Sequence, residues 1–273
     1  SGCTVLVADK TYVVSCARGS DAYMHAISIA DSASSAAGVS GSVNYSLTPA
    51  PFGHAGERAL NAVCPYGFCH SEQSVRTVDL LEKNGQGLNL TMEVRDGILN
   101  HQTSGMPFTL EGRIVRFSDK IAYIHHDMDD AIRAGILKEE DVPGRITEII
   151  GDTTGKRLDH FIHDIVSTSY GKSDIMMSET VAKAMKELRE FMFERVYQNK
   201  EAKSEEGKAE MLIQTLYSYY RHHLELLPED LLALIEKGEP EEKIVCDYIG
   251  AMTDRFAIAK YEEIYIPKSW PNV

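Results

Sequence analysis

Residues 116–130 read RFSDKIAYIHHDMDD, and the order of polar and apolar residues in this stretch predicts a helix with two distinct faces. Polar side chains recur at every fourth position: Asp119, Tyr123 and Asp127. Apolar side chains fall on the opposite side of the same helix: Phe117, Ile121, Ile124 and Met128. The apolar side is expected to face a core. The polar side allows two interpretations, a solvated helix face or a surface that holds a metal ion together with a phosphorylated ligand.

The chain from residue 51 onward is predicted to be helical, because apolar residues keep recurring with the helical period. The predicted helices cover residues 87–100, 111–130, 178–198 and 207–226. Pro228 and Gly238 mark the start and the end of another helix, and Pro240 opens a last one. The charge-rich segment 198–208 is interpreted as a solvated turn between helices. Since no alternation of strands and helices is found, the fold class is predicted to be all-α.

Residues 1–50 have a different character and are predicted to be irregular or to contain short strands. Segments 4–8 and 11–15 are rich in Val and alternate in polarity, which favours strands. Segment 27–51 is crowded with Ser, Ala and Gly, a composition that buries little surface and favours loop or disorder. We therefore predict an atypical segment 1–50, a central region 51–175 and a C-terminal helical region 176–273.

Composition narrows the class of protein. With 273 residues, 43% hydrophobic and 25% charged, the chain fits a soluble globular protein. The net charge of −13 argues against nonspecific binding to nucleic acid or to an anionic membrane. The sequence contains no run of about 18 apolar residues, so no membrane span is predicted. The N-terminus lacks the layout of a signal peptide, and the five scattered cysteines favour reduced thiols, so a cytoplasmic location is expected.

Several blocks of sequence, in the right order, resemble the deoxynucleoside triphosphate triphosphohydrolases of the HD superfamily. The blocks are RFSDKIAY (116–123), HDMDDAI (126–132), PFGHAGERALN (51–61), CHSEQSVR (69–76), VRDGILNHQTSG (94–105) and, less specifically, IPKSW (266–270). The resemblance implies an HD-domain helical bundle with a C-terminal helical extension. It also implies that a dNTP is hydrolysed to deoxynucleoside and inorganic triphosphate by a homo-oligomer that uses a divalent metal, namely Mn, Mg, Fe or Co.

The resemblance also implies roles for individual residues on the polar side of this helix, here called the polar stripe: Asp119, Lys120, Tyr123 and Asp127. Asp119 matches a metal ligand of the family, and Lys120 would contact phosphate oxygens as a point charge. Tyr123 would pack at the 2′ carbon of the sugar, which favours deoxyribose, and Asp127 would accept a hydrogen bond from the 3′-hydroxyl.

Three further residues are candidates for catalysis. His54 and Glu57 are spaced i, i+3 and share one face if a helix starts at Gly53. A histidine beside a carboxylate can serve as a general acid or base. By resemblance, this pair lies near the scissile phosphate, and His70 belongs to the same catalytic neighbourhood. Glu72 is interpreted as a capping carboxylate at a helix N-terminus.

The remaining metal ligands of the family are not found at the matching positions. The family's His-Asp pair is replaced by Tyr45 and Ser46, and Tyr and Ser are poor substitutes. The family's first histidine should lie near Cys16, whereas His25 is the only histidine before His54.

Three hypotheses follow from these departures. In the first, a frameshift, a mis-called start or a chimeric join has replaced a helical segment of an active hydrolase. In the second, the chain is a catalytically dead nucleotide-binding or oligomeric regulator. In the third, it is a fragment without independent function. An in-frame HDLGH-like sequence in the gene upstream of Pro51 would support the first.

The other histidines are interpreted as structural. His125 and His126 point away from the Asp119 stripe and are expected to be structural or surface residues. His101, His160 and His163 have no matching carboxylates at ligand spacing and are expected in the core or in an interface.

Overall fold

The computed structural model describes residues 2–7, 10–15, 25–29, 50–197 and 200–268. Three strands precede the helical part: β1 (Gly2–Val7), β2 (Lys10–Ser15) and β3 (His25–Ile29). They form an antiparallel sheet in the order β1-β2-β3. The first two confirm the predicted strands, whereas β3 runs into the segment 27–51, so the prediction of loop or disorder was wrong at 27–29. The part of that segment at 30–49 lies outside the described residues.

The rest of the described chain is helical, which confirms the all-α prediction for the main body of the protein. The helices are α1 (His54–Val63), α2 (His70–Arg76), α3 (Glu82–Gly85), α4 (Met92–Leu99), α5 (Leu110–Arg133), α6 (Gly144–Ile150), α7 (Thr154–Ser169), α8 (Glu179–Met192), α9 (Lys200–His222), α10 (Glu229–Glu236), α11 (Glu241–Gly250) and α12 (Asp254–Tyr265). A π-helical turn follows α2 at Thr77–Leu81, and another follows α8 at Phe193–Tyr197. Within these ranges, no helix is both long and apolar enough to cross a membrane.

Hydroxyl side chains start four of these helices. Thr109, Thr153, Ser178 and Thr253 are the residues before α5, α7, α8 and α12. Each side-chain oxygen accepts a hydrogen bond from a backbone N–H of the first turn, which has no partner inside the helix. Pro228 and Pro240 precede α10 and α11, as predicted from their positions in the sequence.

Three predicted boundaries were wrong. The segment 198–208 is not a turn, because α9 begins at Lys200; its Glu, Lys and Ala residues are good helix formers whatever their charge. The helix that Pro240 opens, α11, is not the last one, since Thr253 caps a further helix, α12, that the sequence analysis did not predict. The helix predicted at 87–100 begins at Met92, because Gly87 and Asn89 have φ angles of 68° and 54°.

The described chain divides into two compact units, each built from two chain segments. Unit 1 comprises the described residues within Ser1–Ser46 and Asn100–Ala202, and unit 2 those within Leu47–Leu99 and Lys203–Val273. The core of unit 1 is formed around Met128, Ile150, Phe161 and Leu188. The core of unit 2 is formed around Leu60, Ile213, Leu216 and Ile244. The domain limits predicted from sequence stay a prediction, since compactness alone does not test them.

Helix α5 has the two faces that its sequence predicts. Ile121, Ile124 and Met128 are buried in the core of unit 1, and Phe117 packs against that core. Tyr123, on the polar side, is 41% exposed. The same helix therefore anchors unit 1 and presents the polar stripe.

Candidate functional site

His54, Glu57 and His70 lie together in unit 2, as predicted. Glu57 is in the first turn of α1, and its Oε1 accepts a hydrogen bond of 2.9 Å from the backbone N–H of His70. The same carboxylate lies 3.0 and 3.1 Å from Nδ1 of the His70 ring. The rings of His54 and His70 meet edge to face, with their centroids 6.3 Å apart. One carboxylate thus positions both the backbone and the ring of His70.

This arrangement keeps Glu57 ionised. Burial raises the pKa of Glu57, but hydrogen bonds from the ring and backbone of His70, with the nearby charges of His70 and His54, lower the pKa below its ordinary value. A carboxylate beside Nδ1 favours the imidazole tautomer with the proton on that nitrogen. Proton exchange with a ligand then falls to Nε2 of His70. The geometry is that of a carboxylate–histidine acid/base pair.

Helix α2 starts against the same carboxylate. Glu57, from a different helix, accepts from the first backbone N–H of α2, which is the function predicted for Glu72. Glu72 is exposed in the first turn of α2, where its charge is favourable near the positive end of the helix dipole. The sequence pattern found the correct helix end but the wrong capping residue.

The turn before α1 explains the PFGHAG part of the sequence. Phe52 and Gly53 both have positive φ angles, 61° and 56°, and the N–H of Phe52 donates a 2.8 Å hydrogen bond to Asp254 at the start of α12. Gly56 lies so close to the backbone of this turn that a Cβ atom would come within 1.9 Å of the carbonyl oxygen of Pro51. Gly56 is therefore required to place His54 and Glu57, although residue spacing gave no indication of this.

The second group of predicted residues lies on α5 in unit 1. Asp119, Lys120, Tyr123 and Asp127 are all at least partly accessible. Burial lowers the pKa of Lys120, and the positive charges of Arg116 and Arg189 lower it further, while Asp119 opposes them. Lys120 is therefore part of a cationic cluster that includes two arginines, which the sequence analysis did not identify.

The two groups belong to different compact units. Their shared role in one reaction stays a prediction.

The metal-binding prediction receives no support from the described side chains. Among them, no three His, Cys, Asp or Glu residues are grouped so as to hold a metal ion. Tyr45 and Ser46 lie outside the described residues. The described donors therefore do not fit the divalent ion of the family, and the role of Asp119 as a ligand stays a prediction.

The other histidines have structural or surface positions. His125 is buried, with Nδ1 2.6 Å from the carbonyl oxygen of Ile121 and its ring edge to face with Phe161. His101 is also buried, and His126 is partly exposed. His160 and His163 are exposed, so a core position was wrong for both, while the alternative of an interface position stays a prediction. The buried face of α7 carries Arg157, Phe161 and Ile165 instead.

Comparison with known proteins identifies the family. A family profile described as "Phosphohydrolase-associated domain" matches residues 175–263. A "Deoxyguanosinetriphosphate triphosphohydrolase-like protein" of Caldanaerobacter subterraneus subsp. tengcongensis is 47% identical over 228 residues, covering 84% of this chain and 67% of the relative. The chain belongs to the deoxyguanosinetriphosphate triphosphohydrolase-like family. A relative with the same name in Clostridium perfringens (strain 13) is 43% identical, covering 83% of this chain and 68% of the relative. Another in Desulfatibacillum aliphaticivorans is 37% identical, with 82% and 69% covered.

Family membership confirms the resemblance seen in the sequence blocks. It extends across the polar stripe and the His54–Glu57–His70 group, because the aligned regions cover more than four-fifths of the chain. The names of the relatives describe a triphosphohydrolase-like protein. They do not state which substrate this chain binds or whether it turns the substrate over.

Proposed function

We propose that the protein acts on deoxynucleoside triphosphates, and that its family reaction is hydrolysis of a dNTP to deoxynucleoside and inorganic triphosphate. The observation that carries this proposal is the pairing of Glu57 with His70, with His54 beside it. Family membership supplies the class of reaction. Assembly into a homo-oligomer and a cytoplasmic location belong to the same proposal, because they rest on the resemblance and on composition.

The proposed reaction needs proton transfer at a defined place. Water adds to the α-phosphorus, the bond from that phosphorus to the 5′ oxygen breaks, and the departing oxygen takes up a proton. An imidazole held by a carboxylate can donate such a proton and recover it afterwards. We assign this role to His70, positioned by Glu57, with His54 as its neighbour. On α5, Lys120 contacts phosphate, and Tyr123 and Asp127 bind the deoxyribose.

A second candidate function is nucleotide binding without turnover. It is favoured by the lack of a suitable group of metal ligands among the described residues, and by Tyr45 and Ser46 at the positions of the family's His-Asp pair. A divalent metal of the kind the family uses would supply a water of lowered pKa and withdraw charge from the phosphate. Because the described residues provide no group of ligands for it, we expect this chain to bind a dNTP better than it hydrolyses one.

The test combines binding, turnover and metal content. The purified chain is incubated with each dNTP and Mn²⁺, released triphosphate is measured, bound metal is determined by elemental analysis, and dNTP affinity is measured by calorimetry. We expect measurable affinity, much less than one metal per chain and triphosphate release close to background. Asp127→Asn should weaken dNTP binding by roughly tenfold, as for loss of a hydrogen bond to a charged group.

Two outcomes would change this view. One tightly bound metal per chain together with steady triphosphate release would favour the active hydrolase over the binding protein. Absence of dNTP affinity in the wild type would refute both candidates. Glu57→Gln tests the catalytic step separately from binding. It should lower any residual turnover and leave dNTP affinity within about twofold of the wild-type value.

A further inference from the structure

Two carboxylates at the junction of α11 and α12 contact the segments of chain that carry the candidate acid/base group. Asp247, in α11, accepts hydrogen bonds from Gln73 and Arg76 of α2. Asp254, the first residue of α12, accepts a 2.8 Å hydrogen bond from the N–H of Phe52, in the turn before α1. The contacts of Asp247 with Arg76 and of Asp254 with Phe52 span 171 and 202 residues of chain. One short segment therefore contacts both α2 and the start of α1.

Asp254 stabilises a turn of unfavourable backbone conformation. Phe52 has a φ angle of 61°, in the left-handed region that a bulky side chain rarely adopts. Such a conformation persists where its surroundings hold it. Here the N–H of Phe52 donates to Asp254, and the carbonyl oxygen of Phe52 accepts a 3.2 Å hydrogen bond from Ala55. Because α1 begins at His54, a relaxed turn would change the direction in which α1 presents His54 and Glu57.

Asp247 has the corresponding role for α2. This helix has only seven residues, too few to be stable through its own hydrogen bonds. Its last residue, Arg76, donates to both carboxylate oxygens of Asp247, and Gln73 donates to one of them. The side chain of Asp247 is fully buried, so water does not compete for these hydrogen bonds. The position of His70, at the other end of α2, therefore depends on Asp247.

The junction between the two carboxylates is itself fixed. Ile249 and Met252 are buried in the core of unit 2, and the N–H of Met252 donates a 3.0 Å hydrogen bond to the carbonyl oxygen of Ile249. The hydroxyl of Thr253 accepts a 3.2 Å hydrogen bond from a backbone N–H in the first turn of α12. Because packing and capping hold this junction, the two carboxylates keep a fixed separation. They therefore fix the start of α1 and the whole of α2 to one common support.

We propose that Asp247 and Asp254 are positioning residues for the candidate acid/base group. They act through α2 and through the turn before α1, and together they hold Glu57 against the ring of His70. That contact joins α1 to α2, so its length of 3.0 Å depends on the position of both helices. Both aspartates lie in the segment that matches the associated-domain profile, which gives this segment a part in arranging the site. The inference rests on the proposed function only for the use that the acid/base group serves.

The test observes the ring of His70 directly and needs no substrate. Histidine labelled with a nitrogen isotope is incorporated into the full chain, and long-range proton–nitrogen NMR spectra show which ring nitrogen carries the proton. The signals of His70 are identified by their loss in His70→Gln. In the neutral ring of the wild type we expect the proton on Nδ1, beside Glu57. Asp254→Ala should shift these signals toward a mixture of the two tautomers, because Glu57 no longer faces Nδ1.

Two variants control for the loss of charge. Asp254→Asn keeps a side-chain oxygen that can accept from the N–H of Phe52, so it should retain the wild-type signals of His70. Asp230→Ala removes a carboxylate from the first turn of another helix of unit 2, α10, and should leave the signals of His70 unchanged. The ring of His125, in unit 1, serves as the internal reference in every spectrum.

Asp247→Asn tests the second contact. It preserves the size of the side chain but removes the charge that pairs with Arg76, so it should also shift His70 toward a mixture of tautomers. Asp254 is exposed, so Asp254→Ala is expected to fold, which circular dichroism checks; if it does not fold, Asp247→Asn carries the test. Unchanged signals of His70 in either folded variant remove that aspartate from the proposal. An equal shift in Asp230→Ala would overturn the proposal as a whole.

The outcomes separate this inference from the proposed function. If the wild type has no affinity for any dNTP while Asp254→Ala shifts the signals of His70, the positioning role stands and the nucleotide function fails. If the wild type binds a dNTP while neither Asp254→Ala nor Asp247→Asn changes His70, the nucleotide function stands and the positioning role fails.

Discussion

At the scale of single residues, His125 shows how burial controls a charge. Burial lowers the pKa of His125, and the positive charge of Arg157 lowers it further. The hydrogen bond to the backbone of Ile121 and the negative charges of Asp129 and Glu139 raise the pKa, but by less. The net result is a pKa below the ordinary value of 6.5. The neutral ring packs edge to face with Phe161 of α7. The helix that carries the polar stripe is thus fixed to its core by a histidine that must stay uncharged.

This position predicts a pH dependence of stability. Below pH 6.5 His125 becomes protonated in the unfolded chain, whereas in the folded chain it stays neutral down to its lowered pKa. The stability that the neutral His125 contributes is therefore complete above pH 6.5 and is lost as the pH falls toward the lowered pKa. Urea unfolding at pH 7.5, 6.5 and 5.5 should therefore show falling stability, with a shallower fall in His125→Leu. His163→Asn, an exposed change on α7, should keep the slope of the wild type. Parallel slopes in wild type and His125→Leu would exclude this origin.

At the scale of helices, a buried carboxylate joins α2 to α11. Oδ1 of Asp247 accepts hydrogen bonds from Gln73 Nε2 at 2.7 Å and from Arg76 Nε at 2.9 Å, and Oδ2 accepts from Arg76 Nη2 at 2.8 Å. The guanidinium also reaches Glu239 at 2.7 Å. Burial lowers the pKa of Arg76, but these carboxylates raise it by more. Since α2 carries His70, this network fixes the helix on which one member of the acid/base pair lies.

Asp247→Ala is expected to destabilise the protein by roughly 3–5 kcal/mol, because it leaves a mostly buried guanidinium and a buried amide without their main partner. Glu239→Ala should cost about 0–1 kcal/mol, since that carboxylate is partly exposed to water. Urea unfolding of the two variants measures both values. Equal losses of unfolding free energy in the two variants would mean that the buried Asp247 stabilises the protein no more than the partly exposed Glu239.

The helices were predictable where the signal is local. The buried residues Ile121, Ile124 and Met128 follow from their spacing within one stretch of chain. The contact of Asp247 with Arg76 spans 171 residues and leaves no local pattern, so spacing could not reveal it. The approach of Glu57 to His70 came from the resemblance, because 13 intervening positions allow many geometries. The cluster with Arg189 was missed for the same reason, since its members come from two helices.

At the scale of the whole molecule, the described chain has two cores. Leu188 is completely buried in one of them and Ile244 in the other. The core of unit 2 draws on both chain segments of that unit, whereas the described core residues of unit 1 all lie within the segment Asn100–Ala202. Residues that share a core tend to lose hydrogen-exchange protection together.

Leu188→Ala and Ile244→Ala should each lower stability by about 2–5 kcal/mol through the cavity they leave. Hydrogen exchange followed by mass spectrometry should then show faster exchange mainly in α5–α8 for Leu188→Ala, and mainly in α1, α9, α10 and α11 for Ile244→Ala. Ile136→Ala, at a 42% exposed residue, provides a mild control. A uniform loss of protection in both core variants would show that the two cores unfold as one.

Within the described residues, the chain passes between the two units after residues 99 and 202. The associated-domain profile at 175–263 therefore begins in one unit and ends in the other. A fragment cut at those limits would keep Leu188 of α8 but leave behind Ile121 and Phe161, which complete its core. In this protein the segment that is recognisable in sequence is not one that can be transplanted as a module: a gene fusion that borrowed it would inherit one part of each core and the whole of neither.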